Sequence, residues 1–185
     1  MKTLIIIQAR QNSRRFPNKV LNIMNGKPVI QYLIDFVKSM PFDFVFAIPK
    51  NYGNEMLKDY LKVRGCKVFE GLNEDVLDRF YKCAKKYKAD TIIRLCADTP
   101  FLNPRDIYLN LTIHDESGIF SYGNGVYVFS FQELEEAWKN ASSKEAREHI
   151  IPYMMKCIDY PEDLKRWEKP CGGDFGQRIS NRSRS

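Results

Sequence analysis

The chain lacks several things that would announce a function directly. No apolar run approaches the roughly 20 residues of a membrane span, and the N-terminal stretch holds no signal-peptide core of adequate length. A cytoplasmic protein with no membrane span is therefore expected. Its five cysteines, Cys66, Cys83, Cys96, Cys157 and Cys171, are odd in number and widely spaced, and they form no C-x-x-C pair. That excludes a disulfide framework and a cysteine zinc site and leaves free thiols, most of them core filler. The two histidines, His114 and His149, lie far from any signalled serine or cysteine nucleophile, so no covalent route of the Ser-His-Asp or Cys-His kind is expected.

What is present is a soluble globular composition, 44% hydrophobic and 28% charged, over 185 residues, enough for one domain with a real core. The formal charge of +6 favours anionic partners: nucleic acid, acidic membrane surface or phosphorylated small molecules. The aromatic residues follow core-like spacing and do not interleave with the basic ones, which argues against a nucleic-acid stacking surface.

Apolar runs and helical periodicities alternate along the chain. Leu4 to Ile7 is too short for a helix and rich in β-branched residues, which predicts a buried strand, central in a parallel sheet. Pro28 opens a helical segment with Val29, Leu33, Phe36, Val37 and Met40 on one face. Phe42 to Ile48 reads as a second strand, Asn54 to Arg64 as a helix stopped by Gly65, and Lys67 to Glu70 as a short third strand. Asn73 is expected to cap the next helix, whose apolar face is Val76, Leu77, Phe80, Tyr81, Ala84 and Tyr87. Thr91 to Leu95 is the fourth strand. Four strands separated by helices imply right-handed crossovers and a mostly parallel α/β sheet covered on both faces.

Two stretches carry chemistry. Directly behind the first strand, Gln8 to Lys19 (QARQNSRRFPNK) gathers Arg10, Arg14, Arg15 and Lys19 with Gln8, Asn12 and Ser13. Ligands of open α/β sheets bind beyond the carboxyl ends of the strands, so this loop suits a polyanion. Arginine can grip phosphate oxygens with paired bonds while lysine supplies a mobile charge; the alternative is a solvated basic loop. The second stretch, Arg94-Leu-Cys-Ala-Asp98-Thr-Pro100, puts Asp98 past the fourth strand, on the same edge if the two strands are parallel. A carboxylate there could hold magnesium against a triphosphate. Equally, Asp98 could begin a turn or cap the helix after Pro104.

Together these stretches resemble the cytidylyltransferases that activate acidic sugars, the acylneuraminate and 3-deoxy-manno-octulosonate (KDO) family and above all its spore-coat polysaccharide type. The opening motif of that family, Q/P-A-R-x-x-S-x-R-x-P-G-K-x-L, is matched by Ala9, Arg10, Ser13, Arg15, Pro17, Lys19 and Leu21. EGLNEDVLDRFYKCAKKYKADTIIRLCADTPFLNP (Glu70 to Pro104), GVYVFSFQELEEAW (Gly125 to Trp138), REHIIPY (Arg147 to Tyr153) and IDYPEDL (Ile158 to Leu164) extend the likeness to about Trp167. It implies a three-layer α/β/α Rossmann-like nucleotide-diphospho-sugar transferase fold with a mostly parallel mixed sheet over residues 1–168. It also implies transfer of CMP from CTP to an acidic sugar or related acceptor, with pyrophosphate released, in surface glycan biosynthesis. By the same likeness Arg10, Arg15 and Lys19 hold the CTP phosphates with Ala9 and Ser13 in the loop, and Arg10, Lys19 and Asp98 are catalytic. Asp98 and Asp159 are the paired carboxylates for Mg2+. Asp75 and Arg79 lie near the nucleotide, although Asp75 is also placed to stabilise a helix N-terminus with Arg79 as its i,i+4 partner. Arg147 and His149 match a part of the family close to the sugar acid or the subunit contact, and a homodimer is compatible with the likeness.

The departures bear on the acceptor. Asn18 stands in place of the phosphate-loop glycine, and asparagine takes positive φ most readily after glycine. Gly125 and Tyr127 stand where the spore-coat-like pattern carries an aspartate and a glutamate, and the chain is short between Asn110 and Val126 and between Tyr153 and Ile158. A catalytically impaired nucleotide-binding partner or regulatory protein of the same fold is the alternative those changes raise. Residues 169–185, with PCGGDFGQRISNRSRS at their core, lack apolar periodicity and read as a flexible tail or truncated linker.

Overall fold

The computed structural model of the protein describes residues 1–11, 16–50, 53–118, 120–148 and 150. Leu4, Ile5, Ile6 and Ile7 are wholly buried in β1 (Thr3–Gln8), as a central strand requires. Alternate side chains leave its two faces: Ile5 and Ile7 join one core and Leu4 and Ile6 the other. Each such side chain contributes about 1.5–3 kcal/mol from burial. After β1 the chain makes a short 3-10 turn (Lys19–Leu21) and a small antiparallel hairpin, β2 (Ile23–Met24) and β3 (Lys27–Pro28), and then enters α1 (Val29–Ser39).

The alternation predicted from the periodicities continues with β4 (Asp43–Pro49), α2 (Glu55–Val63), β5 (Val68–Gly71), α3 (Val76–Tyr87), β6 (Thr91–Cys96) and α4 (Pro104–Ser117). Gly65, at φ 70°, follows the end of α2 as the expected stop. β7 (Ser121–Gly123), β8 (Val126–Ser130), α5 (Phe131–Asn140) and α6 (Lys144–Glu148) complete the described elements. The six-stranded sheet runs β5-β4-β1-β6-β8-β7. β1 pairs in parallel with β4 and β6, β5 is parallel to β4, and β8 is antiparallel to both β6 and β7, so the sheet is mixed but mostly parallel. Residues of α1, α2 and α4 pack on one face and residues of α3, α5 and α6 on the other, giving three layers.

One cap differs from expectation. Asn73 does not cap α3; the cap is Asp75, whose carboxylate accepts from the backbone N–H of Asp78 at 2.8 Å. The helix begins at Val76, so Asn73 sits too far upstream to reach an unpaired N–H of its first turn. Cys66, Cys83 and Cys96 are free thiols, and burial pushes Cys83 up to about 12, which suits core filler. Cys157, Cys171 and the expected tail lie outside the described residues.

Candidate active site

Because β1 and β6 are parallel neighbours with Gln8 opposite Cys96, the loops that follow them leave the same edge of the sheet. The first loop is anchored at its base. Ala9 is buried, and Gln11 donates its backbone N–H to Asn54 Oδ1 at 2.8 Å while its side-chain oxygen accepts from the N–H of Leu57 at 3.2 Å. Asn18 returns a backbone bond to the Gln11 carbonyl at 3.1 Å and sits at φ 57°, so the left-handed turn is kept without the glycine. Immediately after it, Lys19 Nζ reaches Asp98 Oδ2 at 2.5 Å. The two side chains are 37% and 45% exposed, so water screens the pair and a ligand can separate it at small cost. Asp98 does not cap α4: Asn103 does, its side chain accepting from the N–H of Arg105 at 2.9 Å.

Arg10 is exposed at the start of this loop, near a second cation. Arg79 of α3 is only 1% exposed and donates to the Leu72 carbonyl at 2.6 Å. Burial first and the charge of Arg10 second lower its pKa to about 10, a fall that Asp75 offsets only in part. Gly71 makes that burial possible, since a Cβ there would stand 2.8 Å from Arg79 Cγ. No ion pair joins Asp75 to Arg79 among the described residues, contrary to the i,i+4 pairing expected. Asp75 instead pairs with Arg147 Nε at 2.6 Å, and Arg147 also donates to the carbonyls of Trp138 and Ala141. Arg147 thus ties α6 to the start of α3 in the described structure.

On the other side of β6, a row of side chains crosses three strands in register: Arg94 of β6, Tyr127 of β8 and Tyr122 of β7. Arg94 is 6% exposed; it donates to Gln8 Oε1 at 2.7 Å and lies over the Tyr127 ring at 4.8 Å. Burial pushes the Tyr127 phenol up to about 12, although the charge of Arg94 pulls it down. The neighbouring turn holds Asn124 and Gly125 at φ 51° and 80°, and a Cβ on Gly125 would stand 3.2 Å from Thr99 Cγ2. Glycine at 125 therefore lets this hairpin approach the loop that carries Asp98. No sequence signal joins this row: Arg94 and Tyr127 stand 33 positions apart without a shared motif.

Ser13, Arg15, Asp159 and His149 lie outside the described residues. Among the described residues no group of three or more His, Cys, Asp or Glu could hold a metal ion. Asp98 offers one accessible carboxylate, an oxygen donor of the kind that suits a hard divalent cation, and it already attracts a positive charge in Lys19. No helix among the described residues is long and apolar enough to cross a membrane.

Cations and a carboxylate thus meet at the carboxyl edge of the sheet, where open α/β folds bind their ligands. The cytidylyltransferase family model matches residues 4–160. The chain is 28% identical over 184 residues to a spore coat polysaccharide biosynthesis protein of Bacillus subtilis, covering 88% of this chain and 77% of that one. It is 30% identical over 167 residues to the 3-deoxy-manno-octulosonate cytidylyltransferase of Escherichia coli, covering 89% and 67%. A solved cytidylyltransferase from Leptospira borgpetersenii superposes with a TM-score of 0.75 at 26% identity, over 83% of this chain and 70% of that one. The chain belongs to the cytidylyltransferase family and is a CTP-dependent nucleotidyltransferase.

Proposed function

We propose that the protein transfers CMP from CTP to an acidic sugar or a related acceptor and releases pyrophosphate, in the cytoplasm and in the service of surface glycan synthesis. The observation that carries this reading is the 2.5 Å meeting of Lys19 and Asp98 where the loops after β1 and β6 leave the sheet. A carboxylate and a cation of the loop that also carries exposed Arg10 are brought together there, as an incoming triphosphate with its counter-ion would need.

In this reading an acceptor hydroxyl oxygen forms a bond to the α-phosphorus of CTP. The bond from that phosphorus to the bridging oxygen breaks, pyrophosphate leaves, and the hydroxyl proton passes to solvent. Negative charge grows on the transferred and leaving oxygens, so the protein's task is positioning and charge stabilisation. Arg10, Arg15 and Lys19 hold the phosphates, with Ala9 and Ser13 shaping the loop, and Asp75 and the buried Arg79 lie near the nucleotide. Asp98 and Asp159 would hold Mg2+, which when bound neutralises phosphate charge and lowers the pKa of an attacking hydroxyl. Lys19 exchanges its bond with Asp98 for one with a phosphate when the nucleotide arrives.

The test is magnesium-dependent pyrophosphate release from CTP with a panel of acidic sugars, together with thermal midpoints against CTP, UTP, ATP and GTP. A ligand that binds only the folded state at a hundredfold excess over its Kd adds about 2.7 kcal/mol, which a midpoint registers. The expected result is a shift with CTP and magnesium and turnover with at least one acid. A CTP shift without turnover across the panel would instead support the impaired, nucleotide-binding alternative.

A further inference from the structure

Arg94 presents an imbalance that the nucleotide reading does not use. It is buried, yet its Nε and one terminal nitrogen have no hydrogen-bond partner, and no carboxylate pairs with it among the described residues. Its polar contact is one bond to Gln8, and its rings are Tyr127 at 4.8 Å and Phe80 at 5.8 Å. A guanidinium with unused donors in such surroundings carries a desolvation cost that an anion on those donors would offset. Its planar fork suits a carboxylate through two parallel bonds.

The surroundings say which anion. Arg79 of α3 feels the charge of Arg10 and packs against Gly71 of β5. Arg94 lies between Phe80 of α3 and Tyr127 of the antiparallel strand β8. Beside it Tyr127 stacks on Tyr122 with ring centres 4.5 Å apart, and Tyr122, at the sheet's outer strand, is half exposed. Tyr127 is stacked between the guanidinium and Tyr122, so a row of tyrosine edges runs from the half-exposed outer strand to a buried cation, which suits a ligand with an acidic end. Gln8 joins Arg94 to the strand from which the phosphate loop springs, so such a ligand would lie next to the nucleotide.

We propose that Arg94 is the residue that selects the acceptor, its guanidinium receiving the acceptor's carboxylate while the edges of Tyr127 and Tyr122 border the sugar ring. This rests on the reading that the acceptor is a sugar acid.

The experiment compares the wild type with Arg94→Met and Arg94→Lys. Replacing an unpaired buried charge by an apolar chain of similar length is not expected to harm folding. Thermal midpoints with CTP and magnesium are titrated with pyruvate, the smallest 2-oxo acid, and with its uncharged amide. Pyrophosphate release is followed with 3-deoxy-manno-octulosonate and N-acetylneuraminate. Pyruvate should raise the wild-type midpoint by about 2 °C at roughly 20 mM, the amide should not, and R94M should respond to neither. Where an acid is turned over, R94M should raise its KM by about tenfold or more and R94K should restore part of that, while the KM for CTP stays within about twofold. Equal pyruvate responses in wild type and R94M, no response in either, an unchanged acceptor KM, or an equal rise in the KM for CTP would each overturn the assignment. If neither sugar acid is turned over by the wild type, the proposed reaction is at fault, and the pyruvate titration still decides Arg94. Should R94M fail to fold, Tyr122→Leu at the half-exposed end of the row gives the same readout: a higher acceptor KM supports the row and an unchanged one overturns it.

Discussion

Lys19 and Asp98, 79 positions apart in the chain, meet at 2.5 Å because β1 and β6 are parallel neighbours whose ends are in register. Both side chains remain open to solvent, so their ion pair adds little to stability and its significance is chemical. Asp98→Asn should lower pyrophosphate release by about 10²-fold or more, on the scale of losing one preorganised electrostatic group. The unliganded thermal midpoint should hardly move, because an exposed pair is worth at most about 1 kcal/mol. Release kinetics and a thermal melt of the same preparation check both halves. Full activity in the variant would remove Asp98 from the reaction.

Gly71 should not tolerate alanine. The added Cβ would stand 2.8 Å from Arg79 Cγ and 3.1 Å from its Cβ, and these are the buried root of the side chain, with no room to swing aside. Overpacking of this kind costs about 1–3 kcal/mol, and each kcal/mol lowers the midpoint of a chain this size by about 2–4 °C. A denaturation curve measures it. Because Arg79 would shift with its donor to the Leu72 carbonyl, the CTP-induced midpoint shift should shrink in the same variant.

Much of this could be read from local pattern. Leu4 to Ile7 could only be a buried strand, Asn18 could keep the turn of a missing glycine, and Asp98 had to share an edge with the basic loop once the strands were parallel. Asn73 misled because several residues near a helix start can cap it, and only the true first turn, at Val76, selects Asp75. The β7–β8 hairpin and α5 carry local signals of their own, an Asn124-Gly125 turn and a Ser130 capping box with Glu133, which lie outside the strand–helix alternation. The state of Arg94 had no such signal. That a cation lacks a partner depends on everything that fails to surround it in space, and that is decided by pairing β6 with β8.

The family likeness places Arg147 near the sugar acid or a subunit contact, and within the described structure its bonds run to Asp75 and to the carbonyls of Trp138 and Ala141. Arg147→Ala leaves those acceptors unmatched and should cost about 1.5–3 kcal/mol, the usual worth of bonds to charged groups. The midpoint should fall by several degrees. Arg147→Lys should recover only part of the loss, since an ammonium cannot span the same three acceptors in a plane. If the role is purely to hold α6 against α3, acceptor and CTP KM values remain near wild type in the fraction that stays folded. A specific rise in the acceptor KM would instead put Arg147 at the substrate.

His114 and Glu133 make the stability of the fold depend on pH. His114 Nε2 lies 3.3 Å from Glu133 Oε2, and Asp115 Oδ1 is 3.6 Å from its other ring nitrogen. The hydrogen bond to Glu133 raises the imidazole pKa above its ordinary 6.5 in spite of burial. Burial pushes the Glu133 carboxyl up, but the bonds from His114 and Ser130 outweigh it and hold the group below its ordinary 4.5. The folded state therefore binds the His114 proton more tightly than the unfolded chain does. Its stabilisation is fully present below 6.5 and is lost as pH rises through the raised folded value. For Glu133 the sign is opposite: its contribution is present above 4.5 and is lost as pH falls through the lowered folded value. Both act between about pH 5 and 6.5, so the midpoint difference between wild type and His114→Gln should be largest there and should shrink through neutral and alkaline pH. Thermal melts of the two proteins from about pH 5 to 9 trace that difference directly. A difference that stayed constant across the range would mean that the histidine is neutral throughout and contributes by packing alone.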